Sequence, residues 1–158
     1  MEPDPAVAAA ATKPAPRAEE IAEALPVRAA AISRLFMAHT TVPLSRTEIG
    51  VLHVVSESPR RITELAAREG VTQPAITLLV NRLAERGWLK RTPDPLDRRA
   101  VLVELTSDGC DLLDQIRAEF RALVRENMAA LTDDDLTALA RAVEILDGMI
   151  AGLEEGPR

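Results

Sequence analysis

Between Ile62 and Thr106 the sequence changes its period twice. Two helical stretches, "ITELAAREG" and "VTQPAITLLVNRLAERG", come first. Two short strand-like stretches follow, "WLKR" and "AVLVEL", and helical spacing resumes at Ser107. In the second strand Val101, Val103 and Leu105 alternate with Ala100, Leu102 and Glu104, a period of two. The fold must therefore set a small hairpin into a chain that is otherwise helical. The loop of that hairpin, "TPDPLDRR", carries Asp97, Arg98 and Arg99 in a row.

The helical pair is punctuated in detail. Thr63 stands near the start of the first helix and Gly70 supplies its stop. Thr72 can cap the second helix. Pro74 falls in its first turn, where a missing N–H costs nothing, and Gly87 ends it. Small Ala66 lets two helices approach closely, and Gly70 makes the tight turn between them. This is a helix-turn-helix pattern with the second helix as the reader. Ile76, Leu79, Val80 and Leu83 share one face of that helix. Gln73, Thr77, Leu78, Asn81 and Glu85 lie on the other, with Arg82 and Arg86 along its edges. Gln and Asn suit adenine edges, and Thr suits a thymine methyl or a phosphate.

A helix-turn-helix followed by a basic hairpin is the winged-helix layout. In that reading Asp97 braces one arginine while the loop reaches an adjacent minor groove, since narrow A·T-rich grooves attract inserted Arg. As a plain turn the same triplet would hold a surface ion pair worth under ~1 kcal/mol. The helix arrangement before the loop favours the first reading, and charge counted by segment does not oppose it. The chain's net charge is −6, yet residues 60–99 carry +4 and the remainder −10. The local field, not the global sum, steers a polyanion.

The flanking segments read as helices. Pro26 interrupts or restarts a first helix expected from Glu19 to about Thr40. Ser45 and Glu48 have the capping-box spacing for a second helix, which Pro59 ends. After Ser107, Leu113, Ile116, Phe120, Leu123 and Val124 stripe one long helix. Thr132 caps a last helix whose three Asp suit its N-terminal dipole. These terminal stripes are apolar enough to call for a partner surface, which points to a homodimer. Two reading helices would then stand one DNA turn apart, about 34–36 Å.

The quoted winged segment resembles the MarR family of bacterial transcriptional regulators. Its most specific part is the wing signature Asp-x-Arg with an aliphatic strand and Leu-Thr, here Asp97 to Thr106. The resemblance extends over residues 27–152. It implies a homodimer with interlocked terminal helices, double-stranded DNA as partner, and repression relieved by a small phenolic ligand, an oxidant or a metal. The DNA-contacting residues it points to are Thr72, Gln73, Pro74, Thr77, Leu78, Asn81, Arg82, Arg98 and Arg99. Two departures matter: many members carry a basic residue at Leu78 and an acidic one at Asn81. The ligand crevice of similar proteins lies between dimer helices and winged domain, where His39, Arg46 and His53 are the polar candidates.

The expected organisation is a disordered tail over 1–18, a MarR-like domain over 19–152 and a short tail over 153–158. Within the domain, 45–106 form the winged helix-turn-helix, and 19–42 and 107–152 the dimerisation helices. The fold class is mainly α with a β-hairpin wing. Two His and one Cys without CxxC or HxxxH spacing give no metal site, and no cofactor is expected. Cys110 reads as a small, semi-buried residue rather than a redox switch. With no nucleophile–base pair or phosphate loop, an enzyme is not expected. Without a signal peptide or a membrane span, a cytoplasmic protein is. The rival readings are a winged helix that binds a protein partner, and a metal- or thiol-responsive switch on the same scaffold.

Overall fold

The computed structural model describes residues 16–97 and 100–154. The chain divides into two units, residues 1–39 and 40–158. In the first, α1 runs Pro16–His39 as one helix. It starts before the expected Glu19, so residues 16–18 are helical and not tail, while residues 1–15 lie outside the described residues. Pro26 neither interrupts nor restarts this helix. Its ring denies the Ala22 carbonyl a hydrogen bond, but Pro26 and Ala22 are both exposed, so water can satisfy that carbonyl.

The second unit contains α2 (Arg46–Glu57), β1 (Arg60–Arg61), α3 (Ile62–Glu69), α4 (Gln73–Glu85), β2 (Leu89–Pro93), β3 (Val101–Leu105), α5 (Ser107–Met128) and α6 (Asp133–Glu154). Local chemistry explains most of these boundaries. Ser45 Oγ accepts from the Glu48 N–H at 3.2 Å, and the Glu48 carboxylate accepts from the Ser45 N–H at 2.8 Å. Thr132 and Asp135 make the same reciprocal cap at the start of α6, at 3.2 and 3.1 Å. Each such cap is worth about 1 kcal/mol. α6 continues to Glu154, so residues 153 and 154 are helical rather than tail.

The sheet is antiparallel with order β1-β3-β2, one strand more than expected. Arg60 pairs with Val103 and Arg61 with Leu102. On the other side of β3 the register runs from Leu89 opposite Leu105 to Pro93 opposite Val101. Lys90 and Glu104 face each other across it with Nζ and Oε2 3.0 Å apart, and the Thr92 hydroxyl donates to Glu104 at 2.6 Å.

Leu52, Leu65, Ile76, Leu83, Val103 and Ile116 are among the fully buried side chains of the core, one or more from each of α2, α3, α4, β3 and α5. Burying each is worth about 1.5–3 kcal/mol. Ala66 is buried among them, where the helical pair approaches. α5 joins through Gly109, Leu113 and Ile116, which share one face. α6 does not join: from Asp133 to Leu153 every residue but Leu146 is exposed, including Leu136, Leu139, Val143 and Ile150.

Candidate nucleic-acid interface

α3 ends at Gly70, whose φ of 65° lies in the left-handed region that favours glycine. The Val71 N–H returns to the Ala66 carbonyl at 3.1 Å and the Gly70 N–H to the Ala67 carbonyl at 3.3 Å. This closure satisfies the last carbonyls of α3 and turns the chain into α4 within three residues. Thr72 Oγ1 accepts from the Ala75 N–H at 3.4 Å, and Pro74 sits in the first turn. Gly87, with φ 79°, carries the chain out of α4 toward β2.

With Ile76, Leu79, Val80 and Leu83 buried, α4 turns its other face outward. Thr72, Gln73, Pro74 and Arg82 are exposed, Leu78 is 62% exposed, and Thr77 and Asn81 are half-buried. The Thr77 hydroxyl donates to the Gln73 carbonyl at 2.8 Å, which leaves its oxygen as an acceptor. Arg82 Nη2 lies 3.7 Å from Glu48 Oε1. Burial pushes the Glu48 carboxyl up, but the Ser45 hydrogen bonds and the charges of Arg82 and Arg86 outweigh it, so the group sits below its ordinary range. Glu48 is thus an anion near neutral pH, and it restrains Arg82 beside the outward face of α4. Arg86 stacks over the Trp88 ring with its guanidinium carbon 5.2 Å from the centroid, a cation–π contact at the helix end.

At the wing, Arg98 and Arg99 lie outside the described residues. The carbonyl of Asp97 accepts from the Ala100 N–H at 2.8 Å, so Asp97 helps to close the loop. The buried carboxylate of this loop is one the sequence reading passed over. Asp94 is 5% exposed and accepts from Arg61 Nε at 2.8 Å and Nη2 at 2.5 Å. It also accepts from the Leu96 N–H at 2.8 Å. That backbone bond and then the Arg61 contact hold the Asp94 carboxyl below the usual range. The signal in the sequence was Asp followed by Pro, a turn-initiating pair whose side chain bonds the backbone two residues on.

Of the three candidate pocket residues, His53 lines a cavity of about 610 Å³ bounded by α2, β3 and α5. Arg117 reaches it from α5, donating to His53 Nδ1 and Ser56 Oγ, both at 3.3 Å. Arg46 does not line this cavity; it faces Glu69, whose carboxyl is raised chiefly by burial and lowered in part by Arg46. His39 belongs to the N-terminal unit, where Nδ1 lies 2.8 Å from the Leu35 carbonyl oxygen. Cys110 also lines the cavity and is exposed, not semi-buried. Gly109 takes the inward position with Leu113 and Ile116, and the next residue on the helix rotates away from the core. Among the described residues no group of three or more His, Cys, Asp or Glu is placed to hold a metal, and no helix is long and apolar enough to cross a membrane.

Comparison with known proteins bears on this geometry. Residues 42–100 match the model of the MarR family. An uncharacterised HTH-type transcriptional regulator of Mycobacterium bovis is 29% identical over 116 residues, 73% of this chain and 79% of that protein. The multiple antibiotic resistance protein MarR of Salmonella typhimurium is 38% identical over 66 residues, 41% of this chain and 46% of that protein. The crystal structure of the transcriptional regulator BldR from Sulfolobus solfataricus superposes with a TM-score of 0.63 at 28% identity, covering 88% of this chain and 95% of that one. The matched segment, residues 42–100, spans the helix-turn-helix and the wing loop just described; over it the chain is similar to the MarR family, and the proteins it matches over longer stretches are transcriptional regulators.

Proposed function

We propose that the protein is a homodimeric repressor that reads pseudo-palindromic operators through α4 and the wing and is released by a small-molecule ligand. The observation that carries this reading is the outward face of α4. A helix pinned by four buried aliphatics presents Gln73, Thr77, Leu78, Asn81 and Arg82 on the side away from the core. Gln73 and Asn81 offer paired donors and acceptors for adenine, and Leu78 suits a thymine methyl where a basic residue would seek a phosphate. Thr72 and the start of α4 suit a phosphate oxygen. Arg98 and Arg99 follow in the wing loop, Arg99 for a narrow minor groove and Arg98 for a phosphate, with Asp97 as their neighbouring carboxylate.

The dimer is supported by α6, whose apolar residues Leu136, Leu139, Val143 and Ile150 are exposed among the described residues. The ligand is supported by the cavity between α2, β3 and α5, which is large enough for a small organic molecule and carries His53, Ser56 and Arg117 as polar groups. The test is selection of binding sites from random duplex DNA, followed by affinity measurement across a salt series. An inverted repeat with half-sites one turn apart, bound with a steep log-log salt slope, is the expected result. No enriched sequence and a flat salt response would favour a protein-binding winged helix.

A further inference from the structure

Among the described residues, one ion pair joins the wing loop to the helix-turn-helix, and its chemistry is unlike that of the Lys90–Glu104 pair within the hairpin. β2 and β3 are held by backbone ladder bonds and by the exposed Lys90–Glu104 pair. Asp94, where β2 gives way to the loop, is instead buried and saturated. Its Oδ2 takes both Nε and Nη2 of Arg61, and its Oδ1 takes the Leu96 N–H. Its own N–H donates to the Ala100 carbonyl at 3.1 Å, which closes the base of the loop. Arg61 is equally committed. It pairs with Leu102 in β1, and as the residue before α3 it donates its N–H to the Glu64 carboxylate at 3.2 Å. One ion pair therefore joins the wing loop, the sheet edge and the first turn of the helix that precedes the reader. Beyond it, Pro95 fixes one backbone angle and Leu96 stands 93% exposed.

We propose that Arg61 and Asp94 are positioning residues for the wing, fixing the loop at a set offset from α4 so that wing and reading helix address adjacent grooves together. A hairpin loop held by ladder bonds alone can twist about its strands. Two N–H groups of one planar guanidinium converging on a single buried carboxylate oxygen fix the distance and restrict the orientation of the guanidinium plane. The wing then meets DNA already ordered, and less freedom is lost on binding. The inference rests on the DNA reading proposed above, but the position of the wing can be measured without DNA.

The experiment has two arms. In the first, nitroxide labels at Leu96→Cys and Glu85→Cys, in a Cys110→Ser background, report the distance from wing to α4 by pulsed dipolar spectroscopy. One narrow distribution is expected for the parental protein. Asp94→Asn should broaden it. Arg61→Lys should broaden it too, because an ammonium keeps the charge but has no two N–H groups on separate nitrogens held in one plane. In the second arm, both variants are titrated onto the selected operator with its flanks and onto the same operator trimmed to the α4 half-sites. The loss should fall on the flanked duplex, by about tenfold, the worth of one base-edge contact. The trimmed duplex should lose less. Parental distance distributions in both variants, or equal losses on both duplexes, overturn the proposal. If Asp94→Asn does not fold by circular dichroism, Arg61→Lys decides the matter. If the parental protein binds no duplex at all, the DNA reading fails, and the distance arm still decides whether this pair positions the wing.

Discussion

Gly109→Ala should cost this protein more stability than any ordinary change of one methyl group. A Cβ at that position would overlap the Trp88 carbonyl oxygen, and would lie 3.0 Å from the Trp88 carbonyl carbon and 2.9 Å from Leu105 Cδ2. Leu105 can give a little; the Trp88 backbone cannot, because its carbonyl accepts from the Thr106 N–H at 3.1 Å. Thr106 is itself a knot. Its hydroxyl donates to the Gly87 carbonyl at 2.6 Å and accepts from the Gly109 N–H at 3.0 Å as the cap of α5. Relief of the overlap must lift the first turn of α5 away from the start of β2. Overpacking of this kind costs ~1–3 kcal/mol. The strained cap adds about 1 kcal/mol, and the Thr106–Trp88 bond about 1 more. Alanine's better helix propensity returns about 1 kcal/mol. The net is ~2–4 kcal/mol, which for a chain of this size lowers Tm by roughly 5–15 °C. The assay is thermal unfolding by circular dichroism, with Gly148→Ala as the control. Gly148 lies inside α6 with nothing within 4 Å of its Cβ position. That change should leave Tm unmoved or raise it, by up to ~1 kcal/mol of stability. If Gly109→Ala melts with the parental protein, α5 does not approach Trp88 this closely.

Three further outcomes are expected. The Thr41 hydroxyl and backbone N–H, then Gln115 and Thr40, hold the Glu119 carboxyl down at about 2, against about 4.5 when unfolded. Its stabilisation is thus complete above about 4.5 and lost as pH falls toward 2. Glu119→Gln should be less stable at pH 7 in urea unfolding, and the gap should narrow below pH 4.5; a gap independent of pH would count against this. Gln73→Ala, Thr77→Ala and Asn81→Ala should each shift base preference in site selection, costing ~1–3 kcal/mol at the contacted base; unchanged preference in all three would mean α4 is not in the major groove. Truncation near residue 130, which removes α6, should yield monomer or aggregate in analytical ultracentrifugation, and a soluble dimer would refute the role given to α6.

What could be read from the sequence was what neighbouring residues decide among themselves. Ser45 with Glu48, Thr72 with Pro74, and the glycines at 70 and 87 act within one helical turn, so each boundary followed from local chemistry. β1 could not be read that way. Arg60 and Arg61 have no strand character of their own, and they become a strand by pairing with Val103 and Leu102, far along the chain. Cys110 was legible after all: the phase of Leu113 and Ile116 puts position 109 inward and 110 outward. The acid of the wing shows the limit most clearly. Asp94 and Asp97 flank the same Pro-Leu pair, and only the fold decides which one meets Arg61. The same fact changes how the local charge should be counted. The +4 of residues 60–99 includes Arg61, held by Asp94, and Lys90, held by Glu104 from outside that window. Arg60 and Arg68 both reach Glu57, and Arg82 reaches Glu48, also from outside it. Much of the positive charge in this segment is therefore spent on holding the winged helix together. The attraction to DNA then rests on where the outward cations stand beside α4 and the wing, more than on how many the segment contains.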